Sequence, residues 1–150
     1  MQQKKVILML GRQFPTGHPK QGQPTRFLDS IKEGSKIHTV RRMTTVYNLW
    51  EKRMKDINSG QKYLSLREWT GRPYNSYQRE LMQFDRIGLQ RIHIELSGTP
   101  FALIDHRLVP IDILAQNDGM ETEDFLAYMS IGLKEPVFDG VVVHFTDYRY

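Results

Sequence analysis

The chain has no cysteine, so disulfides, thiolate zinc sites and cysteine nucleophiles are all excluded. Long apolar runs are missing too. The longest, Val6–Leu10, is far short of the roughly 20 residues that cross a bilayer as a helix. It is also too short for a secretory core behind Met1-Gln-Gln-Lys-Lys, so a soluble, cytoplasmic protein is expected. Neither GxGxxG nor GxxxxGK[ST] occurs, which argues against dinucleotide and ATP chemistry. The histidines at 18, 38, 93, 106 and 144 show no HxxxH or HxH spacing, so no metal site is expected. No internal repeat or low-complexity segment interrupts the chain.

What is present suits one folded unit: 150 residues, 39% hydrophobic and 25% charged, enough to bury one sizeable core. A single domain spanning 1–150 is expected. The net charge of +4 says little, but its distribution says more. Residues 1–79 hold 16 Lys/Arg against 5 Asp/Glu, whereas residues 80–150 hold 5 against 12. A basic half is joined to an acidic half. Such asymmetry fits a polyanion-facing surface, and it equally fits two halves paired on one rim.

Pattern reading gives an α+β chain with about three helices. Val6–Leu10 reads as a buried strand, and Gly11–Pro24, dense in Gly and Pro, as a long loop. Thr25 is expected to cap a helix carrying Phe27, Leu28 and Ile31 and stopped by Gly34. Ile37–Arg42 reads as a strand. Val46, Leu49, Trp50, Met54 and Ile57 mark a second helix, capped by Thr44 or Thr45. Tyr63–Trp69 and the alternating Leu89–Leu96 are strands, and Phe101–Val109 is a strand or hairpin about Asp105-His106. Asn117-Asp118-Gly119 is a tight turn, Thr122 caps a helix through Phe125 and Met129, and Val141–Phe145 is a central strand.

The densest polar cluster is Gly34-Ser35-Lys36-Ile37-His38-Thr39-Val40-Arg41, running from a helix stop into a strand. Two cationic donors and a hydroxyl suit an anionic or carbonyl-bearing ligand, although basic strand ends are more commonly just solvated. His38 lies inside this cluster and is the histidine of most interest. Asp118 reads first as a turn or capping residue; near Lys36 it would instead tune the amine. Tyr63, Trp69, Tyr74 and Tyr77 interleave with Arg67, Arg72 and Arg79. That pattern can stack bases and contact phosphates, and ordinary packing explains it equally well.

The spacing Gly34-x-Lys36-x-x-Thr39-x-Arg41 after a first helix resembles the signature of the ASCH domain family. The surroundings agree: an apolar first strand, a Gly60-x-x-Tyr63-Leu-Ser-Leu-Arg67 strand, the late Asn117-Asp118-Gly119 turn and the last strand. The resemblance implies a small PUA-like mixed β-barrel with flanking helices, with loop 11–24 and the helix at about 44–58 as insertions. It implies binding of RNA or a modified nucleoside in a barrel cleft lined by Lys36, Thr39 and Arg41, to which the polar cluster adds His38 and the arginine–aromatic interleaving adds Arg67 as expected ligand-binding residues. The alternative it implies is an amidohydrolase acting on N4-acetylcytidine. Lys36 would then be the amine, Thr39 the nucleophile and Asp118 the acid, without metal or organic cofactor. The family's acid is Glu, and Asp118 is one methylene shorter.

Overall fold

The computed structural model describes residues 3–43 and 47–150. Thr44, Thr45 and Val46, the expected cap and first apolar position of the second helix, lie outside the described residues. The first half of the chain contains β1 (Lys4–Met9), α1 (Phe27–Glu33), β2 (His38–Arg42), α2 (Tyr47–Asn58), β3 (Lys62–Trp69) and β4 (Gln78–Phe84). The second half contains β5 (Gly88–Glu95), β6 (Phe101–Ile104), β7 (Arg107–Val109), α3 (Ile111–Asn117), α4 (Thr122–Ser130) and β8 (Val137–His144). No described helix is long and apolar enough to cross a membrane.

The fold is α+β, as expected, but its strands form two sheets rather than a closed barrel. One sheet runs β1-β3-β4 and the other β2-β8-β5-β6-β7. Closure fails because β1 pairs only with β3, in parallel, leaving β1 and β4 as edges. Four helices are described instead of three. The extra one is α3, which follows Pro110, a residue suited to a helix start. β4 was not expected at all.

β8 organises the core because it is buried on both faces, which is why its sequence runs Val-Val-Val without alternation. Val141 and Val143 face a core shared with Val6, Leu8, Leu64 and Leu66 of the smaller sheet and with Ile57 of α2. Val142 and Phe138 face the second core, with Ile92, Ile94 and Ile104, Leu114 of α3 and Phe125 of α4. β5 alternates as expected, with Gln90, Ile92 and Ile94 buried and Arg91 exposed. The Asp105-His106 hairpin is also present, both residues carrying positive φ (47° and 67°) as a two-residue strand turn requires.

The long loop is a structure of its own. Phe14 and His18 are buried and stacked at 4.4 Å. The loop is fastened to α4, where His18 Nε2 meets the Asp124 carbonyl at 2.9 Å and Lys20 pairs with the Asp124 carboxylate at 2.7 Å. Thr25 joins the loop to α1: its hydroxyl donates to the Gly11 carbonyl at 2.7 Å and accepts from the N–H of Phe27, the first residue of α1, at 3.4 Å. The helix begins after Arg26, held at φ 59°, and ends at Gly34 (φ 86°) as expected.

β2 and β8 approach closely at Gly140, which pairs with Arg42. A Cβ there would stand 2.2 Å from the Arg41 carbonyl oxygen, a backbone atom that cannot swing aside. Gly140→Ala is therefore expected to destabilise the protein by about 1–3 kcal/mol, the usual cost of overpacking. A shift of the urea midpoint at unchanged m-value checks this, and a wild-type midpoint contradicts it.

Candidate functional site

Lys36 leaves the Gly34 turn one bridge short of β2 and pairs with Asp118 in an isolated antiparallel bridge. The Ile37 N–H donates to the Asn117 carbonyl at 2.9 Å beside it. Asp118 is the residue that ends α3, so the turn expected there exists and serves as a helix end. Gly119 (φ 80°) is required at the next position, because a Cβ would lie 3.1 Å from the Lys36 Cβ. Local backbone geometry thus brings an amine and a carboxylate together across 82 residues of sequence.

The contacts are close and dry. Lys36 is 2% and Asp118 2% exposed, so the cluster is no solvated strand end. Lys36 Nζ donates to the Asp118 carbonyl at 2.7 Å and to Oδ1 at 3.1 Å. It also lies 4.3 Å above the Phe27 ring, a cation–π contact. His38 Nδ1 donates to the same Oδ1 at 3.1 Å. On its far side, His38 Nε2 meets the Tyr150 hydroxyl at 2.5 Å, and Asn117 Nδ2 donates to that hydroxyl at 3.1 Å. These partners define one chain from Lys36 through Asp118 and His38 to Tyr150.

Thr39 and Arg41 alternate with His38 and Val40 along β2 and take the face that Lys36 reaches. Lys36, Thr39, Arg41 and Asp118 line one small chamber, closed by Phe27, Val40 and Met129 and adjoining Gly11 and Tyr128. Arg41 is half-buried, donating to the Met9 carbonyl at 2.5 Å and to the Val40 carbonyl at 3.3 Å. Leu10, Gly11 and Tyr128 also line a groove of about 730 Å³ running between the long loop and the turn after β3. Its walls carry Arg12, Phe14, Trp69 and Arg72. The chamber is the foot of the groove.

Two expected site residues sit elsewhere. His38 is behind the chamber as the partner of Asp118, not on its lining. Arg67 is on the far face of β3, with its Nε donating to Ser65 Oγ at 2.8 Å and its guanidinium 3.7 Å from Glu80. The strand is bulged between Leu66 and Arg67, and the Nε bond to Ser65 holds the Arg67 side chain beside Ser65 while Leu66 faces the core. Tyr128 and Tyr150 were not expected. Tyr128 lies three residues after Phe125, a position that marks only a helix face.

Burial pushes the Lys36 amine down, against the opposing pull of Asp118. Burial alone would raise Asp118, but the Lys36 charge and the His38 hydrogen bond outweigh it and hold the carboxyl below its usual range. Burial likewise lowers Arg41, and it raises the Tyr128 phenol despite Arg41 nearby. Behind the site, His144 is fully buried. Its Nε2 meets Gln90 Oε1 at 2.9 Å, while its Nδ1 has no hydrogen-bond partner. Burial, with His38 adding to it, lowers His144 to about 3.

Among the described residues, no three His, Asp or Glu side chains gather to hold a metal ion. Comparison of the chain with protein-family models, with curated proteins and with solved structures finds no match.

Asp118→Asn is expected to cost about 3–5 kcal/mol, because it leaves a buried amine without its counter-charge. Adding Lys36→Met should restore part of that loss, as read in urea midpoints; a double variant weaker by the full sum of the two singles contradicts the pairing. His144 makes a second, pH-dependent contribution. Its folded value of about 3 lies below the ordinary 6.5, so the unfolded chain binds the extra proton between those limits. Stability is complete above pH 6.5 and falls as pH drops toward 3, by a few kcal/mol in total. His144→Phe should flatten that slope, and an unchanged slope assigns it to other groups.

Proposed function

We propose that the protein is an ASCH-like, PUA-related binding domain that takes a modified nucleoside, free or within RNA. The observation that carries this reading is the convergence of Lys36, Thr39, Arg41 and Asp118 on one chamber at the foot of a groove. A groove of about 730 Å³ is within the range of small-molecule sites. Its apolar walls, Phe14 and Trp69, suit a flat base, and Arg12 and Arg72 suit a phosphate. Trp69 packs against Tyr74 at 5.1 Å, and Tyr74 and Tyr77 are 88% and 85% exposed, leaving aromatic surface beside the groove for neighbouring bases.

Hydrolysis of an acyl amide such as N4-acetylcytidine is the second reading, favoured by two observations. The Thr39 hydroxyl lines the chamber with no hydrogen bond among the described residues, and burial lowers Lys36. In that reaction the Lys36 amine takes the Thr39 proton as Oγ1 attacks the acetyl carbon. The C–N bond then breaks, with Lys36 returning the proton to the leaving nitrogen. Water hydrolyses the acyl-threonine and releases acetate.

Calorimetry with N4-acetylcytidine and with short single-stranded RNAs, alongside an acetate assay, separates these outcomes. Binding of the nucleoside is expected to be lost in Lys36→Ala and retained in Arg67→Ala. RNA affinity should fall steeply with salt in wild type and less steeply in an Arg12→Ala, Arg72→Ala variant. If neither probe binds at low salt, the nucleoside reading fails. Acetate release abolished by Thr39→Val with binding intact establishes hydrolysis, whereas binding without any acetate release confines the protein to recognition.

A further inference from the structure

We infer that the chamber is an anion subsite, shaped to receive one oxygen of a ligand carboxylate that enters from the groove. The inference shares its residues with the proposed nucleoside site but does not require a nucleoside.

Size comes first. The chamber has about 10 Å³ of room, about enough for one water-sized atom. A whole phosphate does not fit, but a single oxygen at the tip of a ligand does. Leu10, Gly11 and Tyr128 line both spaces, so the ligand body would remain in the groove.

The lining then defines the charge. Two cationic side chains, Lys36 and Arg41, face one carboxylate, Asp118. That carboxylate is already occupied at Oδ1 by both Lys36 and His38. Arg41 bonds only to the carbonyls of Val40 and Met9 and makes no ion pair among the described residues. Arg41 is half-buried, and taking part of its charge out of water without a negative partner is costly, a cost that a monoanion offsets.

Hydrogen-bond capacity points the same way. The hydroxyls of Thr39 and Tyr128 border the chamber and have no hydrogen-bond partner among the described residues. With Lys36 and Arg41 they form a donor set around a space the size of one oxygen. Gly11 keeps the entrance open: a Cβ there would lie 3.0 Å from the Tyr128 hydroxyl oxygen. Tyr128 is held from the side by Phe14 and Phe27, whose ring centroids are 6.4 Å and 6.3 Å away. Its hydroxyl is thereby fixed between groove and chamber.

The test uses 4-bromobenzoate, whose carboxylate is the probe and whose bromine stays in the groove as an anomalous label, with acetate as competitor. Anomalous diffraction from crystals soaked in sodium 4-bromobenzoate is expected to show the bromine in the groove with one carboxylate oxygen in the chamber against Lys36 and Arg41, and added acetate should displace it. Bromobenzoate found only on exposed lysines and arginines overturns the proposal. Bromobenzoate that acetate does not displace is an adventitious additive only, and overturns it equally. Tyr128→Phe keeps the ring packing and should weaken acetate several-fold in a thermal-shift titration run against chloride, whereas unchanged acetate affinity removes the hydroxyl from the donor set. Chamber-bound acetate without nucleoside binding would sink the nucleoside reading alone. Nucleoside binding with neither anion in the chamber would sink this inference alone.

Discussion

The bridge between Lys36 and Asp118 is the constraint on which the site depends. It is a backbone pairing and a side-chain ion pair at once, joining the start of β2 to the end of α3. Two glycines make it possible. Gly34 turns the chain out of α1 in a left-handed conformation, and Gly119 leaves room for the Lys36 side chain to lie against the backbone. The ion pair by itself is weak evidence of stability, because desolvating both charges offsets much of their attraction. Its further bonds matter more: the Asp118 carbonyl and His38 satisfy donors and acceptors that water would otherwise hold. The arrangement therefore specifies where the amine sits more than it strengthens the fold.

That geometry gives the charge asymmetry of the chain a concrete meaning. The basic half supplies Lys36 and Arg41 to the chamber and Arg12 and Arg72 to the groove, whereas the acidic half supplies only Asp118. At the chamber the two halves meet at a single carboxylate. The rest of the acidic half is used elsewhere: Asp124 fastens the long loop, and Glu80 holds Arg67 on the outer face of β3. The positive character of the site is what remains after those pairings.

Much of the fold was legible because burial leaves periodic marks. The Val141–Val143 run announced a strand buried on both faces, Gly34 a helix end, and Asp105-His106 a hairpin. The four chamber residues followed from one eight-residue stretch and one turn. β4 was not legible, since its Gln-Arg-Glu-Leu-Met-Gln-Phe sequence is that of an edge strand with one partner and little buried surface. Sheet closure was not legible either, because strand count says nothing about which edges pair. Arg67 shows a related limit: alternation tells which residues share a face, but not which face meets the site. Tyr128 and Tyr150 act through contacts distant in sequence, and nothing local distinguishes them from ordinary packing aromatics.

Depth separates two tasks that a flat basic surface would combine. A lysine as enclosed as Lys36 cannot follow a phosphate backbone, because contact with it requires the ligand to leave water and enter the chamber. Arg12 and Arg72, on the groove wall, are the cations a polyanion can reach without that step. Their attraction is long-ranged and screened by salt, whereas the chamber acts over a single hydrogen-bond length and is little screened by bulk salt. For the proposed ligand, attraction on the groove wall would set how readily it arrives, and the buried donors would decide whether it stays. Selectivity would then reside with the residues that carry the least exposed charge.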